Sequence, residues 1–271
     1  MASRFPDEVA RITPYEVGIP GREFARERFG AIRDEAEGRG VDASDLEAFV
    51  QLGEVGRTLR LLQGEERGGA ALRNLSSFLY HAFHFHEAGE RLTLVSTELV
   101  RHLISSGEGG AGWQGKLADQ SGYIQLPGRL FWSHPDPSGP AEDLDGIFWA
   151  TTENDTLHLL IALGLRADRP GISLIPLPGV PLADAPAWGA ARIREEGEDF
   201  RTTLPGGELD ELYSLVAAGE VLKLVARVFG YVWRRPEALR EPTSPDPSAD
   251  PPDEVPRTST LPFRRLVLLG G

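Results

Sequence analysis

The stretch GIFWATTENDTLHLLIALGL, residues 146–165, decides the fold class of this chain because it has the pattern of a β-hairpin. The runs GIFWAT and LHLLIALGL are apolar, with the aromatic and β-branched residues that favour strands. Between them, Asn154 and Asp155 tolerate the positive φ that a tight hairpin turn requires. The stretch therefore predicts two neighbouring antiparallel strands.

Similar runs on both sides extend this hairpin into a sheet. YIQL and RLFW precede it, GISLIPL follows it, and turn residues separate the runs. We therefore predict an antiparallel meander of four or five strands, from about Tyr123 to about Pro176.

Helical patterns flank the predicted sheet. Apolar residues recur at helical spacing over residues 22–36, 44–62, about 70–88 and about 92–104, and the pattern returns over residues 206–233. Ser44 and Glu47 have the spacing of a capping box at the start of the second segment. The sequence thus predicts an α+β chain with N-terminal helices, a central antiparallel β-meander, a C-terminal helix and an extended proline-rich tail.

The change from helical spacing to the short runs of predicted strands after Gly115 suggests the domain organisation. Residues 1–115 are predicted to be mainly helical, and residues 116–234 to form the sheet and a helix that pack with them as one globular unit. Residues 235–271 are predicted to form an extended arm, since they contain seven prolines between Pro236 and Pro256 and end in the apolar segment LPFRRLVLLGG.

Composition disfavours several classes of function. The chain has 41 acidic and 28 basic residues, a formal charge of -13, which repels the phosphates of nucleic acids. The absence of cysteine excludes disulfides, iron–sulfur clusters and thiolate zinc sites. The N-terminus lacks the apolar core of a signal peptide, and no apolar run is long enough to span a bilayer. We therefore expect a cytoplasmic location, including the cytoplasmic face of a membrane complex.

The densest group of chemically active side chains is HAFHFHEAGE, residues 81–90. Because a helix turns about 100° per residue, His84 and His86 lie about 160° apart, and His81, His84 and His86 cannot converge on one metal. The apolar stripe of the preceding helix continues to His86, which predicts a partly buried, hydrogen-bonded side chain. We predict structural histidines, with no metal and no cofactor.

Two further sequence patterns are weaker evidence for a functional site. GAGWQGKL, residues 110–117, nearly matches a phosphate-binding loop, but Leu117 stands where a magnesium-binding Ser or Thr is needed, so a linker is favoured. The acids around the hairpin are predicted to be solvated turn residues rather than an acid–base pair. These acids are Glu142, Asp143, Asp145, Glu153 and Asp155. No catalytic residues are predicted, so an enzyme is disfavoured.

The prediction for function is a non-catalytic accessory or structural subunit that binds other protein chains in a larger assembly. Trp113, Trp188 and Trp233 lie near loops or element ends, where aromatic residues act as interface anchors. An extrinsic position on a membrane complex, such as a photosynthetic reaction centre–antenna complex, is one setting, although no residue favours it over others. The alternative is a small-molecule-binding protein or hydrolase that uses His81, His84 and the hairpin carboxylates. A toxin-neutralising or regulatory module is a third interpretation.

The end of the chain is the predicted partner-binding region, because its apolar side chains would not remain in water without a binding surface. The segment can dock on a partner chain, or it can add a strand to an edge of the protein's own sheet, and the sequence favours neither alternative. The predicted partner-binding residues are Trp233, Phe263, Arg264, Arg265, Leu266 and Leu268.

Overall fold

The computed structural model describes residues 9–63, 69–106, 108, 113–128, 132–133, 142–163, 173–190, 209–243 and 258–270. Residues 69–73, 132–133 and 209–218 are described by their backbone alone. The rest of the predicted proline-rich arm, residues 244–257, lies outside the described residues, as does most of the glycine-rich part of the predicted linker.

The described residues form one eight-stranded sheet and eight α-helices. The strands are β1 (Leu92–Val95), β2 (Ser121–Gln125), β3 (Trp132–Ser133), β4 (Glu142–Thr151), β5 (Thr156–Leu163), β6 (Ser173–Pro176), β7 (Val180–Pro181) and β8 (Phe263–Leu266). The helices are α1 (Pro14–Gly18), α2 (Arg22–Arg39), α3 (Leu46–Val50), α4 (Gly53–Gln63), α5 (Gly69–Glu87), α6 (Thr97–Ser106), α7 (Ala185–Ala190) and α8 (Leu209–Arg234). Short 3₁₀ turns cover Leu182–Asp184 and Pro236–Ala238.

The sheet has the order β6-β5-β4-β2-β1-β8, with β3 beside β4 and β7 beside β5. Its strands β2, β4, β5 and β6 pair antiparallel, and this part agrees with the predicted meander. However, β1 pairs in parallel with both β2 and β8. The prediction of an α+β chain is therefore confirmed, whereas a purely antiparallel sheet is wrong, because the sheet is mixed.

Helices cover both faces of the sheet, and the alternation of side chains along each strand explains why. On β4, Phe148 points into a core shared with the helices α1 to α5, and its neighbours Ile147 and Trp149 point into a core shared with α6, α7 and α8. The chain thus forms three layers, with the sheet in the middle. No helix among the described residues is both long enough and apolar enough to cross a membrane.

The segment predicted as one capped helix over residues 44–62 is divided into α3 and α4. Asp45, not Ser44, is the N-cap of α3, since its side chain accepts hydrogen bonds from the amides of Glu47 (2.8 Å) and Ala48 (3.2 Å). The N-terminus of α4 is capped from α2, because Glu35 accepts from the amides of Gly53 (3.0 Å) and Glu54 (2.7 Å). The two hydrogen bonds to Glu35 hold the start of α4 against α2, although the residues that they join are distant in sequence.

The predicted helix over residues 92–104 begins only at Thr97. The preceding residues form β1, and Ser96 starts α6, since its hydroxyl accepts from the amide of Leu99 at 3.3 Å and its carbonyl from Val100 at 3.0 Å. The helix prediction for Leu92–Val95 is wrong because ladders to β2 and β8 hold these residues in an extended conformation.

Candidate functional site

The three histidines of α5 lie in three different environments, so they do not form one site. His81 is 3% exposed and faces the sheet, where its ring lies 6.3 Å from that of Phe148. His84 lies beside the loop before α3, and its Nε2 is 3.0 Å from the carbonyl oxygen of Ala43. His86 is near the surface, where it contacts Tyr15. Among the described residues, no group of three or more His, Asp or Glu side chains is placed to hold a metal ion.

Burial keeps the two inner histidines neutral. Desolvation lowers the pKa of His81 well below its ordinary value, and His158 on β5 adds to this effect. Desolvation also lowers the pKa of His84 to about 4, although the hydrogen bond to Ala43 opposes the shift. The Nδ1 atom of His81 has no hydrogen-bond partner among the described residues. These imidazoles therefore act as aromatic packing groups around the ring of Tyr80, which lies 5.2 Å from His81 and 4.5 Å from His84.

The hairpin carboxylates have separate positions. Glu153 and Asp155 are exposed in the turn between β4 and β5, as predicted. Asp145 is not a solvated turn residue: it is 5% exposed and accepts hydrogen bonds from Arg11 Nε (2.9 Å) and Tyr123 Oη (2.6 Å). The structure brings neither Asp145 nor the exposed acids to His81 or His84 in any contact among the described residues.

A β-bulge between Leu144 and Gly146 directs Asp145 into this buried network. A Cβ atom at Gly146 would lie 2.6 Å from Tyr123 Oη, so only glycine permits the close approach. Because the Asp145 carboxylate is paired with the Arg11 guanidinium at 2.8 Å, the burial of both charges is compensated. The network joins the N-terminal segment to the sheet, and nothing in the order of residues indicates that Arg11 is the partner.

The predicted partner-binding residues divide into a buried and an exposed set. Phe263 (3% exposed) and Leu266 (0%) lie in β8 and fill the two cores of the same chain. Trp233 (47% exposed) and Leu268 (37%) face solvent. The C-terminal segment thus adds a strand to the protein's own sheet.

The two arginines of this set contact their own chain. Arg264 Nη1 lies 3.8 Å from Asp119, which also pairs with Arg91, and Arg265 lies over the ring of Phe263 at 5.7 Å. One tie between the two ends of the chain is Glu16, which sequence reasoning missed, and another is the hydrogen bond from Ser259 N to the carbonyl of Ala10 at 2.9 Å. Glu16 completes the capping box of α1 with Thr13, and it also accepts hydrogen bonds from Thr260 N at 2.6 Å.

The three tryptophans considered as interface anchors also differ in their exposure. Trp113 is buried at 2% exposure, where its ring lies 5.8 Å from that of Phe229 and its Nε1 donates to the carbonyl of Lys116 at 2.9 Å. Trp188 is half-buried, so Trp233 is the one of the three that is exposed. The near-match to a phosphate loop therefore contains a buried tryptophan at its fourth position, while residues 109–112 lie outside the described part.

A second group that the sequence did not reveal is formed by Tyr15, His86 and Glu90. Tyr15 Oη lies 3.1 Å from His86 Nδ1 and donates to Glu90 Oε1 at 3.0 Å, and His86 Nδ1 lies 3.2 Å from the same oxygen. The prediction that His86 is partly buried and hydrogen-bonded is confirmed. The spacing of His86 and Glu90 by four residues was the available signal, whereas Tyr15 is too remote in sequence.

Comparison with known proteins gives no significant match to a family model, a curated protein or a solved structure. Functional conclusions therefore rest on the side chains themselves.

Proposed function

We propose that the protein is an accessory subunit that binds another protein chain through the surface around Trp233 and Leu268, which we call the Trp233 surface. The observation that supports this proposal is the exposure of Trp233, at 47%, on the last turn of α8. The preceding turns of this helix, from Val221 to Tyr231, are buried. Tryptophan is the side chain that most often anchors protein interfaces, because it buries a large area with few rotatable bonds.

The neighbours of Trp233 have the composition of an interface. Arg234 and Arg235 follow it directly, and arginine is enriched in binding hot spots as well. Leu268 reaches the same end of α8, because the amide of the next residue, Leu269, donates to Tyr231 Oη at 3.0 Å. An aromatic anchor, an aliphatic side chain and two guanidinium groups thus come from adjoining segments.

The test compares two exposed apolar residues on different layers. Trp233→Ser removes the proposed anchor, and Leu61→Ser on α4 is the matched control, since Leu61 is 58% exposed. Both variants should keep the wild-type melting temperature, because exposed side chains contribute little to folding. Tagged protein from the native host should be crosslinked, and the partner and its crosslinked residues identified by mass spectrometry.

We expect one partner chain in stoichiometric amount, crosslinked close to Trp233, lost in Trp233→Ser and kept in Leu61→Ser. A partner that binds both variants equally would place the contact elsewhere, and the lack of any stoichiometric partner would contradict the accessory-subunit proposal. The setting on a membrane complex rests on the sequence alone and stays a prediction, which membrane fractionation of the same cells tests.

A further inference from the structure

A surface groove of about 720 Å³ lies beside the Tyr15–His86–Glu90 group. Its lining includes Arg22, Glu23 and Arg26 from α2, His86 from the end of α5, Glu90 from the turn after α5, and Pro262 just before β8. The groove is thus built from three separate segments, and it uses none of the residues of the Trp233 surface.

The hydrogen bonds around His86 decide which ring nitrogen carries the proton. A carboxylate can only accept hydrogen bonds, and Glu90 Oε1 already faces both Tyr15 Oη and His86 Nδ1. The pKa of Glu90 is lowered, chiefly by the hydrogen bond from His86, so this carboxylate is ionised at neutral pH. Nδ1 therefore donates to Glu90, and the tautomer with its single proton on Nδ1 offers Nε2 as an acceptor.

Among the residues that the structure describes, no polar group hydrogen-bonds Nε2 of His86. The hydrogen bonds that His86 makes both involve Nδ1, and its other contacts are with the rings of Phe29 and Tyr15, at 5.2 Å and 6.5 Å. The side chain of His86 is 25% exposed, so a ligand can reach it. A carboxylate on Nδ1 with a free Nε2 is the arrangement that holds a histidine as an oriented acceptor or base.

The groove contains the guanidinium groups of Arg22 and Arg26 and the carboxylates of Glu23 and Glu90. Arg26 lies 4.0 Å from Glu23, and Glu90 is engaged by His86 and Tyr15. Arg22 is close enough to lower the pKa of Glu90, and it forms neither an ion pair nor a hydrogen bond with any residue in the described part of the chain. A guanidinium in this position can bind a planar or tetrahedral anion with two parallel hydrogen bonds.

The backbone at Glu90 is held in an unfavourable conformation. Glu90 has φ of 56°, in the left-handed region, directly after Gly89 with φ of 80°. Its amide donates to the carbonyl of Phe85 at 2.8 Å, which fixes this turn. A left-handed conformation is strained for a residue other than glycine, and such strain is concentrated at binding sites. Here it brings the carboxylate onto His86.

We propose that this groove binds a small molecule in which an anionic oxygen group adjoins a hydroxyl donor, as in a phosphate group or a 2-hydroxycarboxylate. Arg22 pairs with the anionic oxygens, and Nε2 of His86 accepts the hydrogen bond from the hydroxyl. Glu90 and Tyr15 are positioning residues, because they hold the imidazole in the tautomer that leaves Nε2 as the acceptor.

The test is a titration of the full chain, labelled on its histidine rings, with inorganic phosphate and, separately, with lactate, followed by NMR. We expect saturable shifts of the His86 ring signals at millimolar concentrations. Arg22→Gln should weaken the affinity about tenfold. The matched control is Arg57→Gln on α4, where the arginine is 61% exposed and lies outside the groove, and it should leave the affinity unchanged.

The two probes distinguish the source of the anion. Shifts with phosphate alone assign the groove to phosphate-bearing ligands, and shifts with lactate alone assign it to hydroxycarboxylates. The inference is overturned if neither probe shifts the His86 signals, or if the affinity is the same in Arg22→Gln and in the wild type. The accessory-subunit proposal is unaffected by either result, since it depends on Trp233.

Discussion

The two halves of the sheet are assembled in different ways. The antiparallel half, β2 with β4, β5 and β6, is made of strands that pair in the order in which they follow one another along the chain. The parallel half joins β1 to β8, so that Leu92 pairs with Phe263 from the far end of the chain. The first half depends on local turns, whereas the second depends on the docking of a terminus, and the two should respond differently to the same kind of damage.

Removal of residues 258–271 should have the severest effect, because it deletes β8 and exposes the edge of β1. Leu261, Phe263 and Leu266 are each at most 3% exposed. Their burial contributes on the order of 5–9 kcal/mol before the entropy of ordering the segment is subtracted. This is comparable with the whole stability of a domain. We expect the truncated protein to lose its cooperative thermal transition in circular dichroism, or to aggregate.

The control for this truncation is the removal of Gly270 and Gly271 alone, which should leave the melting temperature unchanged. Addition of a synthetic peptide with the sequence of residues 258–271 should restore part of the lost transition, since it resupplies the strand and the buried side chains that the truncation removes. A truncated protein that melts like the wild type would show that β8 contributes nothing to the fold.

Phe263→Ala should destabilise the parallel half by about 3–5 kcal/mol, because it leaves a cavity at a buried aromatic site. Leu268→Ala lies five positions further along the same segment and is the matched control, since Leu268 is 37% exposed. Its effect should stay within about 0.5 kcal/mol. Urea unfolding measures both. Equal effects of the two substitutions would contradict the division of this segment into a buried strand and an exposed end.

The same contrast explains what could be predicted from the sequence. The hairpin of β4 and β5 was predicted because its turn residues and its strands are neighbours. β1 was mistaken for a helix because Leu92, Val95 and Leu99 also have helical spacing, and the strand that holds β1 extended is at the other end of the chain. Strand addition by the C-terminus was one of two open alternatives, and the choice between them required the structure.

The polar groups show the same limit. His86 was predicted to be hydrogen-bonded because the apolar stripe of its own helix continues to it. Asp145 was expected in solvent, because its partner Arg11 is 134 residues away and no local pattern connects them. The Tyr15–His86–Glu90 group was also missed, since a hydrogen bond between side chains 71 residues apart leaves no periodic signal.

Acid should destabilise the antiparallel half, where His81, His84 and His158 surround Tyr80. The pKa of His84 is lowered from the ordinary 6.5 to about 4, so the unfolded chain binds a proton that the folded protein does not. The contribution of the neutral His84 to the free energy of unfolding is therefore fully present above pH 6.5. It is lost as the pH falls toward 4, at about 1.4 kcal/mol per pH unit for one histidine. The loss from His84 should reach about 3 kcal/mol.

His84→Gln tests this origin, because glutamine can still donate to Ala43 and does not titrate. Urea unfolding between pH 7 and pH 4 should give a shallower fall in the free energy of unfolding for His84→Gln than for the wild type, with carboxylate titration common to both. Identical slopes in the two proteins would show that His84 is protonated equally in the folded and unfolded states.

Glu16→Gln should weaken the tie between the two chain ends by about 1–3 kcal/mol. Glu16 accepts hydrogen bonds from Thr13 N (2.9 Å), Ser259 Oγ (2.8 Å) and Thr260 N (2.6 Å). Glutamine would replace one accepting oxygen by an NH2 group, which cannot accept a hydrogen bond from these donors. A double-mutant cycle with Ser259→Ala isolates the part that acts on the C-terminus. If the effects of the two substitutions are additive, the contact between Glu16 and Ser259 contributes nothing to stability.

Asp155, in the hairpin turn, should give the mildest effects, because this half of the sheet is held by its whole ladder. Asp155 has φ of 55°, and its amide donates to the carbonyl of Thr152 at 3.1 Å. Glycine at this position gains from the left-handed conformation but has more freedom to lose on folding, so Asp155→Gly should change stability by less than about 0.5 kcal/mol. Alanine keeps the steric cost of the left-handed conformation and lacks the polar side chain of aspartate, so Asp155→Ala should destabilise the protein by about 1 kcal/mol. The difference between these two variants in urea unfolding measures the strain of the turn. A loss of several kcal/mol in either variant would mean that the antiparallel half depends on a single contact, as the parallel half depends on β8.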